Sequence, residues 1–164
     1  MPLISRCIEP GPGIEPGPDR VVLEWSMPAP PARVWWGLTD SEALPHWLGT
    51  LSSGRFAAGD VVIIRHAEDY SSTSKVLTCE PGSILSMTWE FPDEPLSHLR
   101  ISLAADGDGT HLELAHDGLG AEAGGYLPGW HTHLLYLEGL LTNRPRDPAS
   151  FWSTYAGLDA DSAG

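Results

Sequence analysis

Two histidines, His131 and His133, stand two positions apart in the segment PGWHTHLLYLEGLL, residues 128–141. Neutral imidazoles can ligate a metal ion or exchange protons with a substrate. The segment has the apolar periodicity of a helix, however, and two positions on a helix separate side chains by roughly 160°. The two rings therefore cannot chelate one ion together. Because the chain also lacks HExxH and CxxC sequences, we predict neither a metal site nor a cofactor.

The helical periodicity assigns the two histidines to different flanks. Trp130, Leu134 and Leu137 share the apolar face, His133 lies at one edge of it, and His131 lies at the other edge. We predict that His131 is a surface residue. For His133 two interpretations remain open. It is either a boundary residue bonded to water or to a neighbouring strand, or a polar group that lines a cavity.

His116 is the candidate for catalysis. It continues the face of Leu112 and Leu114 at the end of a strand, so it either reaches a cavity or pairs with a carboxylate or carbonyl group at the rim. A catalytic role would pair it with Glu113 or Asp117 as a general base acting on a bound ketone or ester. Glu113 alternates away from that face, however, and no Ser or Cys occupies a GxSxG elbow. An enzyme of the cyclase or hydrolase type is therefore the alternative and not the main hypothesis.

These residues depend on the elements that carry them. Alternating apolar residues separated by turn residues predict a first strand, two short helices, six strands and a long helix from about Tyr126 to Asn143. The strand segments are Val21 to Met27, Arg55 to Phe56, Asp60 to His66, Ser72 to Cys79, Ile84 to Phe91, Ser97 to Ala105 and Thr110 to Asp117. The prediction is an α+β fold in which a curved antiparallel sheet of about six to seven strands wraps around the long helix.

Composition narrows the classes of function. The chain has 164 residues, a formal net charge of −13 and two cysteines. A chain of this length forms one domain, and its excess of carboxylates disfavours binding to nucleic acid or to an anionic membrane. It contains no apolar run of the length that crosses a bilayer and no leader-like N-terminus. We therefore expect a cytoplasmic protein.

The N-terminal residues differ from the rest of the chain. Residues 8–19 repeat IEPGPG as IEPGPD, and proline supplies no amide donor for a helix or a central strand. We predict a flexible arm over residues 1–19, one folded domain over residues 20–158 and a frayed tail over residues 159–164.

Five segments, in order, resemble one known superfamily. They are PAPPARVWWGLTDSEALPHWLG from Pro28, FAAGD from Phe56, LSMTWEF from Leu85, GDGTHLELAHDGL from Gly107 and GWHTHLLYLEGLL from Gly129. Between about Val21 and Asn143 the chain resembles the START-like or helix-grip superfamily (SRPBCC), in the branch named for an activator of a heat-shock ATPase.

The resemblance implies a cavity between the sheet and the long helix that holds a small hydrophobic or amphipathic molecule. We predict that the following residues contact it: Trp25, Met87, Trp89, Phe91, Leu112, Leu114, His116, Trp130, His133, Leu134 and Leu137. A third hypothesis is a protein-interaction or ATPase-regulating co-chaperone module. For that hypothesis Trp36, next to the buried Trp35 of the family pattern, is the predicted contact with a protein partner or with a second copy of the chain.

Overall fold

The computed structural model describes residues 3–10 and 18–163. Its strands are β1 (Leu3–Pro10), β2 (Pro18–Met27), β3 (Thr50–Ser53), β4 (Val61–Ala67), β5 (Tyr70–Glu80), β6 (Ile84–Trp89), β7 (Ser97–Asp106) and β8 (Gly109–Asp117). Its α-helices are α1 (Pro31–Thr39), α2 (Ala123–Leu141) and α3 (Phe151–Ala163). The predicted α+β class and the long helix are confirmed, although α2 begins and ends slightly earlier than the sequence indicated.

Within the described residues the strands form one open antiparallel sheet of eight strands, in the order β1-β2-β8-β7-β6-β5-β4-β3. Strands β4 to β8 follow one another as hairpins. The β7–β8 hairpin turns at Gly107, whose φ of 59° favours a residue without a Cβ. Strand β2 pairs with β8, the last strand in the sequence, so these two strands lie next to the β1 edge of the sheet.

The core lies between this sheet and α2. In β2 the alternating residues Val21, Leu23, Trp25 and Met27 are each fully buried, as a strand with one face on a core requires. Helix α2 packs across β2 and also contacts α1 and α3. The helix is thereby gripped by the sheet on one side and by the shorter helices on the other.

The prediction of a flexible arm over residues 1–19 is wrong for Leu3–Pro10. This segment is an edge strand, β1, and pairs antiparallel with β2 from Leu3↔Trp25 to Pro10↔Pro18. Proline at the end of an edge strand removes no bond that the sheet needs, which is why the proline-rich sequence still contains a strand. Residues 11–17, the rest of the predicted arm, lie outside the described residues.

The predicted tail over residues 159–164 is helical where the structure describes it. Helix α3 runs through Phe151–Ala163 and crosses the predicted domain boundary at residue 158. Asp147 and Pro148 mark the preceding helical turn, because the Asp147 carboxylate accepts a bond of 3.0 Å from the Ala149 amide. This cap signal is present in the sequence, and our sequence analysis missed it.

Two smaller predictions are corrected between α1 and β4. The predicted second short helix is reduced to one 3-10 turn at Leu44–His46. The strand that follows is β3, at Thr50–Ser53, instead of Arg55 to Phe56. In the described part of the chain, no helix is long and apolar enough to cross a membrane.

Candidate functional site

A cavity of about 910 Å³ opens beside α2, along the face of the helix that runs from Gly125 to Tyr136. Its walls come from α2, α3, the loop around Trp47 and the neighbouring ends of β4, β5 and β6. Ligand pockets usually have volumes of roughly 300–1,000 Å³, so the space is of the size that holds a small organic molecule.

Aromatic rings supply most of the apolar wall. Trp89 and Trp130 meet edge to face at 5.3 Å, and the ring of Phe91 lies 5.8 Å from that of Trp89. Tyr70 stacks on Phe91 at 4.5 Å with nearly parallel rings. Phe151 in α3 closes the opposite side. The structure therefore brings the predicted contacts Trp89, Phe91 and Trp130 together in one wall.

Six other predicted contacts lie in the closed core and do not line this cavity: Trp25, Met87, Leu112, Leu114, Leu134 and Leu137. They share the inward face with the cavity residues, but they lie along the sheet and helix where the two pack directly together. Trp25 illustrates this position, since its indole N–H donates a bond of 2.8 Å to Glu138 in the second half of α2.

His116 is fully buried, and both of its ring nitrogens are bonded. Its Nδ1 accepts a bond of 3.0 Å from the indole N–H of Trp130, so the proton of the neutral ring belongs to Nε2. Nε2 lies 2.7 Å from the hydroxyl oxygen of Ser97, which in turn donates to the Trp89 carbonyl. His116 thus lies behind the cavity wall and holds Trp130 in position. It does not line the cavity, where a base would meet its substrate.

Burial also keeps His116 uncharged. Desolvation, together with a smaller effect of the nearby His98, lowers the pKa of its imidazole to about 3. A protonated ring would direct an N–H at the indole N–H of Trp130, which cannot accept a bond. The group is therefore a neutral structural histidine at any pH near 7.

His133 lies on the cavity wall, as one of its two interpretations predicted. Its Nδ1 is 2.7 Å from the Trp47 carbonyl, which can only accept, so Nδ1 carries the proton. Burial lowers the pKa of this imidazole to about 4, against the opposing effect of that carbonyl. Its Nε2 is consequently an acceptor, and it has no hydrogen-bond partner within the described part of the chain.

His66 is a second cavity histidine, and the sequence did not decide its orientation. Its Nε2 lies 2.8 Å from the buried hydroxyl of Ser72. Burial lowers its pKa to about 4, and the nearby His133 ring contributes in the same direction. Two uncharged imidazoles therefore lie in the wall, the ring of His66 against Trp89 and the ring of His133 against Trp130.

A chain of hydrogen bonds in the cavity wall ends on the carboxylate of Glu94. The Trp89 indole N–H donates to the Tyr126 hydroxyl at 3.2 Å, and this hydroxyl donates to Glu94 at 2.5 Å. Burial raises the pKa of the Glu94 carboxyl, the bond from Tyr126 lowers it, and the neighbouring Glu122 raises it again. Sequence reasoning missed Glu94 and Tyr126, because the loop after β6 and the start of α2 meet only in the folded chain.

The prediction that His131 is a surface residue is wrong. Its side chain is 8% exposed and meets the Trp25 ring edge to face at 5.5 Å. The Arg6 guanidinium lies 3.1 Å from its Nδ1. This flank of α2 is covered because β1 is an ordered strand, so the error follows directly from the prediction of a mobile arm.

Trp36, the predicted partner contact, is partly buried against the core. The Arg33 guanidinium lies over its ring, 4.1 Å from the ring centroid. This contact within the chain accounts for the position of the indole. A role for Trp36 with a protein partner stays a prediction.

The fold and cavity are those of a helix-grip protein with a START-like architecture. The family model described as Activator of Hsp90 ATPase homolog 1-like protein matches residues 28–142, and the chain belongs to this family. The predicted superfamily and branch are thereby confirmed.

Solved structures agree with this assignment. CalU16 from Micromonospora echinospora superposes with a TM-score of 0.78 at 22% identity, covering 97% of this chain and 95% of its own. MLL2253 from Mesorhizobium loti has a TM-score of 0.71 at 27% identity, covering 77% and 99%. DynU16, described as a protein of the dynemicin biosynthetic locus, has a TM-score of 0.71 at 25% identity, covering 77% and 49%. No sequence match was found among curated proteins.

Proposed function

We propose that the protein binds a small, largely aromatic or amphipathic molecule in the cavity beside α2. The observation that carries the proposal is the cavity of about 910 Å³ whose wall combines stacked aromatic rings with a few fixed polar groups. Such a combination offers apolar burial for affinity and hydrogen bonds for orientation. Trp89, Phe91 and Trp130 supply the apolar contacts.

Within this proposal His133 orients the ligand. Its free Nε2 accepts a hydrogen bond from a hydroxyl or amide N–H of the bound molecule, because the Trp47 carbonyl holds the proton on Nδ1. His116 acts indirectly by fixing the Trp130 ring through its indole N–H. Six of the predicted contacts would support the cavity wall from the core and would not touch the ligand: Trp25, Met87, Leu112, Leu114, Leu134 and Leu137.

Gly129 gives a direct test, since it lines the cavity and has room for a side chain. A Cβ built there has a single heavy atom within 4 Å, the Tyr155 Cε2 at 3.7 Å. A Gly129→Trp substitution would therefore fill part of the cavity without a clash at its Cβ, and Gly129→Ala is the matched control. The probe is 1-pyrenemethanol, a neutral aromatic alcohol, titrated by its fluorescence.

The expected result is binding by the natural protein and by Gly129→Ala, and binding at least about tenfold weaker by Gly129→Trp. Circular dichroism and the melting temperature show whether each variant is folded. Equal affinity of all three proteins, with the fold retained, would contradict the proposal. Native mass spectrometry of protein purified from its own host then identifies the natural molecule by its mass.

A further inference from the structure

The charges on the cavity wall favour one class of ligand. Three carboxylates line the cavity, Glu68, Glu94 and Glu122, against the single guanidinium of Arg65. Two of the three histidines that line the cavity, His66 and His133, add no positive charge, because burial lowers their pKa values to about 4. The whole chain carries a formal net charge of −13, and its field concentrates cations at the mouth.

Glu94 is the carboxylate placed deepest in this wall. It is partly buried, whereas Glu68 and Glu122 are exposed. Its Oε1 accepts from the Tyr126 hydroxyl at 2.5 Å, and this bond fixes the carboxylate at the cavity wall. Among the described residues no arginine or lysine forms an ion pair with it. Its second oxygen has no hydrogen-bond partner in that part of the chain, so it is available to a ligand.

The aromatic groups beside Glu94 suit the same ligand. Trp89 and Tyr126 lie in the hydrogen-bond chain that ends on the carboxylate, and Phe91 and Tyr70 stack next to them. Ring faces attract cations, and the attraction is stronger where water is excluded. An ammonium group here would meet a carboxylate and aromatic rings together, while an anionic head would be repelled by Glu94.

We infer that the cavity selects an aromatic molecule with a basic amine, whose ammonium group pairs with Glu94 while its ring lies against Trp89 and Phe91. This inference rests on the proposed function and adds the charge of the ligand to it. It excludes fatty acids and other carboxylates as the preferred class.

Three probes with one ring system separate the two proposals: 1-pyrenemethylamine, 1-pyrenemethanol and 1-pyrenecarboxylate. At low salt, the natural protein should bind the amine about tenfold or more tightly than the carboxylate. Glu94→Gln should weaken amine binding about five- to tenfold and leave the alcohol unchanged. Glu90→Gln is the matched control, because Glu90 is exposed on the same stretch of chain and does not line the cavity.

Each outcome has a separate meaning. Binding of the alcohol together with equal binding of the amine and the carboxylate would overturn the amine selectivity and leave the proposed function standing. A Glu94→Gln variant that weakens the amine and the alcohol equally would overturn the ion pair. Binding of none of the three probes would overturn the proposed function and this inference with it. Should Glu94→Gln not fold, Glu122→Gln tests the same charge at the mouth, with a smaller loss of amine affinity expected.

Discussion

One face of α2, from Gly125 to Tyr136, borders the cavity, and the last turn of the helix lies in closed packing. On the cavity face a Cβ added to Gly129 would make one ordinary van der Waals contact, 3.7 Å from the Tyr155 Cε2, whereas in the last turn a Cβ added to Gly139 would lie 2.7 Å from the Arg144 carbonyl oxygen. Histidines mark the same contrast. His116, behind the wall, has both nitrogens bonded, and His133, on the wall, has one.

This contrast separates the residues that hold the cavity wall in place from the residues that face a ligand. Trp130 lies at the boundary, with its ring on the cavity and its N–H bonded to His116. Closed packing on one side fixes the geometry of the wall, and on the open side the Nε2 of His133 is kept as an acceptor for a ligand. Binding sites commonly depend on such a rigid supporting layer.

The largest expected effect is acid unfolding. The pKa values of His116, His66 and His133 are lowered from 6.5 to about 3, 4 and 4. Since the unfolded chain takes up these protons first, the stabilisation is complete above pH 6.5. It is lost as the pH falls to about 4 for His66 and His133 and to about 3 for His116. Each histidine contributes about 1.4 kcal/mol per pH unit. The raised pKa of Glu94 acts in the opposite direction and offsets a small part.

Urea unfolding between pH 7 and pH 4.5 checks this prediction. His116→Gln and His133→Gln should each reduce the pH slope of the unfolding free energy by about one proton. If His133→Gln leaves the slope unchanged while His116→Gln reduces it, His133 is not desolvated in the folded protein. The environments of the wall histidine and the core histidine would then differ more than described.

A smaller effect is expected from alanine at the two helix glycines. Gly139→Ala should destabilise the protein by about 1–3 kcal/mol, because the new Cβ would contact the Arg144 backbone. Gly129→Ala should stabilise it by up to about 1 kcal/mol through helix propensity. Thermal unfolding of both variants measures the difference. Equal destabilisation by both would mean that the cavity side is as closely packed as the core.

The smallest effect is spectroscopic and involves no loss of stability. His116 and His133 should have opposite neutral tautomers, with the proton on Nε2 and on Nδ1 respectively. Nitrogen NMR of the imidazole groups distinguishes the two forms. Addition of 1-pyrenemethanol should shift the Nε2 resonance of His133 and leave both nitrogens of His116 nearly unchanged. A shift confined to His116 would contradict the assignment of His133 to the cavity.

Local patterns in the sequence determined the elements that carry the site. The alternation in Val21 to Met27 predicted a buried strand face, and the helical periodicity around Trp130 predicted α2, because strand and helix periods are properties of neighbouring residues. The same patterns and five ordered motifs predicted the α+β class and the superfamily. The cap at Asp147 was equally local, and it would have predicted the start of the last helical segment.

Only the tertiary structure decided which inward residues meet the cavity and which meet each other. Trp25 and Trp130 both point inward, yet only Trp130 reaches the space, since periodicity gives the face of a residue but not its depth along the sheet. His131 was predicted exposed and is covered by β1, because burial depends on a strand more than a hundred residues away. The pairing of Glu94 with Tyr126 has the same origin: two distant segments meet only when the chain closes around α2.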